Sequence, residues 1–193
     1  MHSGLTKMTK LPRRIISSLA LIISLVSLIY FTNVGASKIV ARPAPEFTQT
    51  SPGAWLGSEP LSMSDLRGKV VLVDFWTFTC WNCYRSFPWL NALEEKFVGK
   101  DFQVIGIHSP EFEKEKDKTV VEKHMKKYSL KHPTMMDNDF AFWKKIGNKY
   151  WPSFYLIDKR GFLRHVFIGE THEGDRRAEI IETEINRLLE EAS

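Results

Sequence analysis

Two cysteines, Cys80 and Cys83, stand three residues apart in the stretch Phe75 to Pro88, FWTFTCWNCYRSFP, and the chain has no others. Residues i and i+3 in the first turn of a helix share a face, so two thiols placed there can approach bonding distance. The unpaired N–H groups and positive dipole end of that turn stabilise a thiolate at the first cysteine. A stabilised thiolate beside a second thiol is what disulfide exchange needs: attack, mixed disulfide, release by the resolving sulfur. On this reading Cys80 is the nucleophile and Cys83 the resolver. Three other readings compete. A structural disulfide closing so tight a loop adds little, because loop-entropy stabilisation grows with loop length. A zinc site needs about four ligands, and no histidine pair at three-to-five spacing supplies the rest. A c-type haem attachment needs histidine after the second cysteine, where Tyr84 stands.

The elements that must hold these thiols follow from pattern. Lys69–Trp76 is β-branched and apolar almost throughout, as in a central strand buried on both faces. From Cys80 the spacing of Trp81, Tyr84, Leu90, Leu93 and Phe97 turns helical until Gly99. A second buried strand is predicted at Phe102–His108, a surface loop at Ser109–Lys118 and a helix at Thr119–Tyr128. A short strand at Thr134–Asp137 and a helix at Asp139–Ile146 follow, the helix capped by Asp137 or Asp139 and ended by Gly147. Ser153–Asp158 and Phe162–Ile168 read as a hairpin about Lys159-Arg160-Gly161, and Asp175–Glu190 as a closing amphipathic helix. Upstream, a short strand is expected at Ala54–Gly57 and a helical turn near Ser64–Leu66. This order implies an α/β fold: a central mixed sheet with helices on both faces and an insertion after the second core strand.

The N-terminus has another purpose. Lys7, Lys10, Arg13 and Arg14 carry the whole net charge of +4, leaving residues 37–193 balanced. That balance argues against a nucleic-acid partner. After these cations comes the uncharged run Ile15–Phe31, then Val34-Gly35-Ala36, which suits cleavage. The run is longer than the apolar core of most signal peptides and at the short end for a spanning helix. Residues 1–36 are therefore expected to be a signal peptide or, preferably, a membrane anchor through residues 15–31. Residues 37–53 read as linker and lead-in, and 54–193 as the folded domain. Either leader places the domain outside the cytoplasm, in a bacterial periplasm or on the outer face of the inner membrane.

VLVDFWTFTCWNC resembles the active-site strand and helix of the thioredoxin superfamily. Pro88 matches the proline that kinks the active-site helix, and Trp151-Pro152 the cis-proline that faces the cysteines. More narrowly, FWTFTCWNC, VIGIHSPEF, DNDFAFW and GNKYWPSFYLIDKRG, over about residues 45–170, are similar to the TlpA-like thiol-disulfide oxidoreductases. Within these the chain resembles the branch typified by the thioredoxin-like domain of DipZ proteins. The resemblance implies a thioredoxin fold and an exported or membrane-tethered enzyme that exchanges protein disulfides, acting as reductant. No cofactor or metal is implied beyond a redox-active Cys80–Cys83 disulfide. Its partners would be disulfide-bearing or dithiol exported proteins, a membrane electron donor, or cytochrome c maturation factors. Thr79 and Trp81-Asn82 depart from thioredoxin's own residues around and between the cysteines, which alters the reduction potential.

Asp74 lies in an apolar strand where an unpaired carboxylate is costly, so its pKa should rise, and the family position is that of a proton shuttle for the resolving cysteine. The alternative is a side chain that reaches solvent or a lysine. Glu111 resembles in placement an active-site glutamate of some TlpA-like reductases, or is a solvated loop acid among Glu113 and Glu115. Trp76, Trp81, Trp151 and Pro152 are expected to bind substrate. His108 is expected to be a satisfied polar residue, Trp143 to pack the core with Phe140 and Phe142, and Glu113–Lys118 to be a solvated face. Two further functions compete. Thr77-Phe78-Thr79-Cys80 echoes the peroxiredoxin T-x-x-C, although Val73 stands where that fingerprint has proline. A non-catalytic binding module would keep the fold and use its tryptophan-rich face.

Overall fold

In the computed structural model residues 38–192 are described, with side chains from Arg42 onward. The leader expected at residues 1–36, including Ile15–Phe31, lies outside them. Seven strands form one sheet in the order β1-β7-β6-β3-β4-β5-β2. They are β1 (Lys38–Pro43), β2 (Trp55–Leu56), β3 (Val70–Trp76), β4 (Phe102–His108), β5 (Thr134–Met136), β6 (Ser153–Ile157) and β7 (Phe162–Ile168). The helices are α1 (Trp81–Lys96), α2 (Lys118–Lys127), α3 (Ala141–Ile146) and α4 (Arg176–Glu190).

Strand β3 is central because every residue in it is buried. It runs parallel to β4, antiparallel to β6, and feeds both halves of the core. Val70, Leu72 and Trp76 face α1 and α4, meeting Phe87, Leu90, Leu93, Ile181 and Ile185. Val71, Val73 and Phe75 face the opposite layer, made by α3 and the lead-in through Phe142, Ile146, Phe47 and Trp55. Each such side chain contributes roughly 1.5–3 kcal/mol by leaving water. Helix α4 lays Ile181, Ile185 and Leu188 against the sheet, and Asp175 caps it by accepting the Ala178 amide at 2.8 Å.

Two local readings change. The lead-in over residues 37–53 contains an edge strand: β1 pairs antiparallel with β7, Lys38 opposite Val166 and Pro43 opposite Phe162. Its prolines hid it, because proline is tolerated at a sheet edge where no donor is needed. The helical turn near Ser64–Leu66 is a run of turns in which Ser62 and Asp65 bond one another. The two candidate caps of α3 both act: Asp137 accepts the Phe142 and Trp143 amides at 2.9 Å each, and Asp139 the Ala141 amide at 3.1 Å. The β4–β5 connection carries the insertion, a 3-10 turn at Glu113–Lys116 followed by α2.

Candidate active site

Strand β3 ends at Trp76 and the chain needs four residues to turn into α1. Cys80 is the N-cap of that helix, in extended conformation, and its Sγ accepts the Cys83 amide at 3.2 Å. Cys80 and Cys83 are joined as a disulfide, with Cα atoms 5.3 Å apart. The bond is unequally covered, Cys83 being fully buried and Cys80 half-buried. An attacking thiolate therefore reaches Cys80 first. In the reduced form the Cys83 amide and the free end of a 16-residue helix are in place to hold a thiolate at Cys80.

The turn before Cys80 is fixed by a carboxylate that sequence reasoning set aside. Glu111 is exposed, and its backbone amide donates to Glu115. Glu115 is the buried acid, 0% exposed, although it sits in the charged run expected to be solvated. It accepts from the amide and hydroxyl of Thr79 and from the amide of Phe112. Burial pushes its pKa up, but the hydroxyls of Thr79 and Thr77 and the amides of Glu111 and Phe112 outweigh that and hold it below its ordinary value. A signal was present: Glu115 lies three residues after Phe112, where N3 of a 3-10 turn can reach back to the cap. His108 is buried under the same turn, with Nε2 3.5 Å from the Thr77 hydroxyl and Nδ1 without a hydrogen-bond partner. Burial lowers its pKa to about 4, so it is neutral; the satisfied histidine expected here is only half satisfied.

On the α1 side of β3, between Leu72 and Trp76, lies Asp74, 1% exposed, with neither carboxylate oxygen hydrogen-bonded. Neither solvent nor a lysine reaches it. Burial raises its pKa to about 7, the nearby charge of His132 lowers it, and Glu94 raises it. A carboxyl poised near neutrality is suited to take and return a proton.

Trp151-Pro152 is a cis peptide bond at the start of β6. Phe75 pairs with Ser153, so Pro152 stands beside the end of β3, four residues before Cys80. Trp151 is half-buried against Trp143, ring centroids 4.3 Å apart. Trp81 is 63% exposed on the first turn of α1, with Arg85 over its ring at 6.0 Å. Trp76 departs from expectation: it is 0% exposed, packed against Phe87 and His108, and cannot line an open groove. The physical reason is the pleat of β3, which turns residue 76 to the α1 side with Leu72 and Asp74. Phe112 and Tyr150, 52% and 55% exposed, were not foreseen; one adjoins the Glu115 turn and the other the cis-proline. Among the described residues no cluster of three or more His, Cys, Asp or Glu could hold a metal ion.

A family model described as redoxin matches residues 39–184. The chain belongs to the redoxin family. Protein DipZ of Mycobacterium tuberculosis is 38% identical over 141 residues, 72% of this redoxin and 20% of DipZ. The redoxin spans a fifth or less of the first, longer relatives it matches. Thiol-disulfide oxidoreductase YkuV of Bacillus subtilis is 28% identical over 150 residues, 78% of this chain and 96% of YkuV. The solution structure of a thioredoxin-like protein in the oxidised form superposes with a TM-score of 0.67 at 28% identity, covering 79% of this redoxin and 98% of that chain. The fold is thus thioredoxin-like, and the redoxin is a TlpA-like member of that superfamily.

Proposed function

We propose that this redoxin is an exported or membrane-tethered thiol-disulfide oxidoreductase that reduces protein disulfides through Cys80 and Cys83. The observation that carries the reading is the unequal burial of the disulfide at the N-terminus of α1, Cys80 reachable and Cys83 covered. The name of YkuV and the position of the cysteine pair in a thioredoxin-like fold support it.

In the reduced protein the Cys80 thiolate attacks a substrate disulfide, forming a Cys80 mixed disulfide and expelling one substrate thiolate, which is protonated from water. Cys83 then loses its proton to Asp74 and attacks Cys80 Sγ; the bond to the second substrate sulfur breaks and that sulfur leaves with the electron pair. Two electrons have moved from the dithiol to the substrate. Trp81, Phe112 and Tyr150 offer an apolar rim for a polypeptide, and the cis Trp151-Pro152 segment a backbone partner at the start of β6. Candidate partners are disulfide-bearing exported proteins, a membrane electron donor and cytochrome c maturation factors. The basic, then apolar, leader supports the location. Among the described residues no helix is long and apolar enough to cross a membrane, so an anchor would be Ile15–Phe31.

Insulin-disulfide reduction tests the chemistry: Cys80→Ser abolishes it and Cys83→Ser accumulates mixed disulfides. Identifying the proteins trapped by Cys83→Ser in cells, after membrane fractionation, tests partners and location. A Cys80→Ser protein with full activity refutes the proposal. The peroxidase alternative has weaker support, because Thr77 is fully buried with its hydroxyl engaged by His108 and Glu115.

A further inference from the structure

Strand β4 is buried through its centre, yet its fifth residue is Gly106. The cause is space. A Cβ there would lie 2.5 Å from the Thr134 hydroxyl, 3.0 Å from Trp76 Nε1 and 3.1 Å from His132 Cδ2, the ring carbon bonded to Nε2. Gly106 is the register partner of Asp74 on the neighbouring parallel strand, so this small volume adjoins the carboxylate on the same face of the sheet. Both oxygens of Asp74, Trp76 Nε1 and His132 Nε2 are buried there without hydrogen-bond partners. So many orphaned polar atoms in one place call for an explanation.

The other ring nitrogen of His132 supplies one. Nδ1 is 2.9 Å from Glu94 Oε2, and while the His132 side chain is fully buried, that of Glu94 is 23% exposed. Glu94 lines a cavity of about 550 Å³ together with Phe97, Lys100, Gln103 and Lys131. An acid, an imidazole and a second acid thus run from the α1 side of β3 to a space open to water.

We propose that His132 and Glu94 carry the Cys83 proton between Asp74 and solvent. The proposal rests on the oxidoreductase reading and extends it to residues with no contact to the disulfide. When Cys83 attacks Cys80, its proton passes to the Asp74 carboxylate. Asp74 hands a proton to Nε2 of His132, directly or across one water. Nδ1 releases a different proton to Glu94, and Glu94 gives it to water in the cavity. The ring is left with its proton on Nε2. When a reductant reopens the disulfide, Cys83 must regain a proton and every step runs backwards, restoring the first tautomer. The enclosed ring therefore never rotates; alternation of the two half-reactions resets it. The charged groups facing Asp74 are His132, ahead of β5, and Glu94, on α1; those facing Glu94 across the cavity are Glu95, Lys100 and Lys131. His132 and Glu94 act through Asp74 and are positioning residues.

The probe is 5,5′-dithiobis(2-nitrobenzoic acid) mixed with the reduced full chain. Its coloured thiolate leaves as an anion, so the Cys83 proton is the only one in play. The first equivalent released reports attack by Cys80 and the second reports resolution by Cys83. In His132→Gln and in Glu94→Gln the first phase stays within about twofold of wild type while the second slows about tenfold or more at pH 7. The pH profile of the second phase also changes in His132→Gln, because the ring that takes the proton from Asp74 is gone. Should the buried His132 variant fold poorly, Glu94→Gln decides alone, since its side chain is partly exposed. Second phases with the wild-type rate and pH profile in the folded variants overturn the relay. A wild-type protein that releases no colour, or only one equivalent, overturns the proposed function and the relay with it.

Discussion

Glu115 accepts a hydrogen bond from the amide of Thr79, the residue immediately before Cys80, at 3.2 Å. The loop on which Cys80 sits is therefore tied to the insertion between β4 and β5 by a buried carboxylate. Because the pKa of Glu115 is held down in the folded state, its ionisation stabilises the protein above the ordinary carboxylate range, and that contribution is lost as pH falls through the folded pKa. Glu115→Gln is expected to cost about 1–3 kcal/mol at pH 7. The gap to wild type should narrow in acid, as urea unfolding at several pH values will show.

Asp74 and His108 pull the stability profile in opposite directions. From about pH 4 to 7 the native state keeps a proton on Asp74 that the unfolded chain has lost, so stability falls as pH rises through that window. From about pH 6.5 down to 4 the unfolded chain takes a proton that buried His108 refuses, so stability falls as pH drops. The two slopes largely cancel in the wild type. Asp74→Asn should gain about 2–4 kcal/mol at pH 8 and acquire a steep acid loss, while slowing resolution. His108→Asn should show the reverse slope, and slopes of one sign in both variants contradict the assignment.

Gly106→Ala places a methyl group 2.5 Å from the Thr134 hydroxyl, closer than real Cβ contacts come. The neighbours are an indole and an imidazole enclosed by the core, so they can yield little. The expected loss is about 1–3 kcal/mol, read from the denaturation midpoint, with slower release of the second coloured equivalent.

Trp76 and Trp81 should behave as opposites. Trp76→Ala empties the space between Phe87 and His108 and is expected to cost about 3–5 kcal/mol. Trp81→Ala, on an exposed side chain, should change stability by less than about 0.5 kcal/mol and slow insulin reduction. A Trp81 variant with unchanged turnover on insulin and on trapped partners removes that ring from the docking surface.

Much of this molecule was legible in its residues. The β-branched run into Trp76, the helix opening at Cys80, the hairpin about Gly161 and the amphipathic closing helix announce themselves by periodicity and turn chemistry. Strands β4 and β7 fall on their expected bounds. What escaped depends on contacts distant in sequence. Glu111 and Glu115 look alike on paper, and only the fold turns one to solvent and the other onto Thr79. His132, in the polar stretch Ser129 to Pro133, carries no local sign that it lies beside Asp74 across an adjoining glycine. Trp76 is expected to line a groove because aromatics near a cysteine pair suggest one, whereas it closes a strand expected to be buried on both faces.

The described sheet ends on β2, only two residues long, at one margin and on β1, carrying Pro43, at the other. Short or proline-bearing margins make poor templates for a further strand. A sheet with open margins meets extended segments of other chains without recruiting them only if those margins pair poorly. Blunt margins of this kind disfavour edge-to-edge aggregation between copies of the sheet.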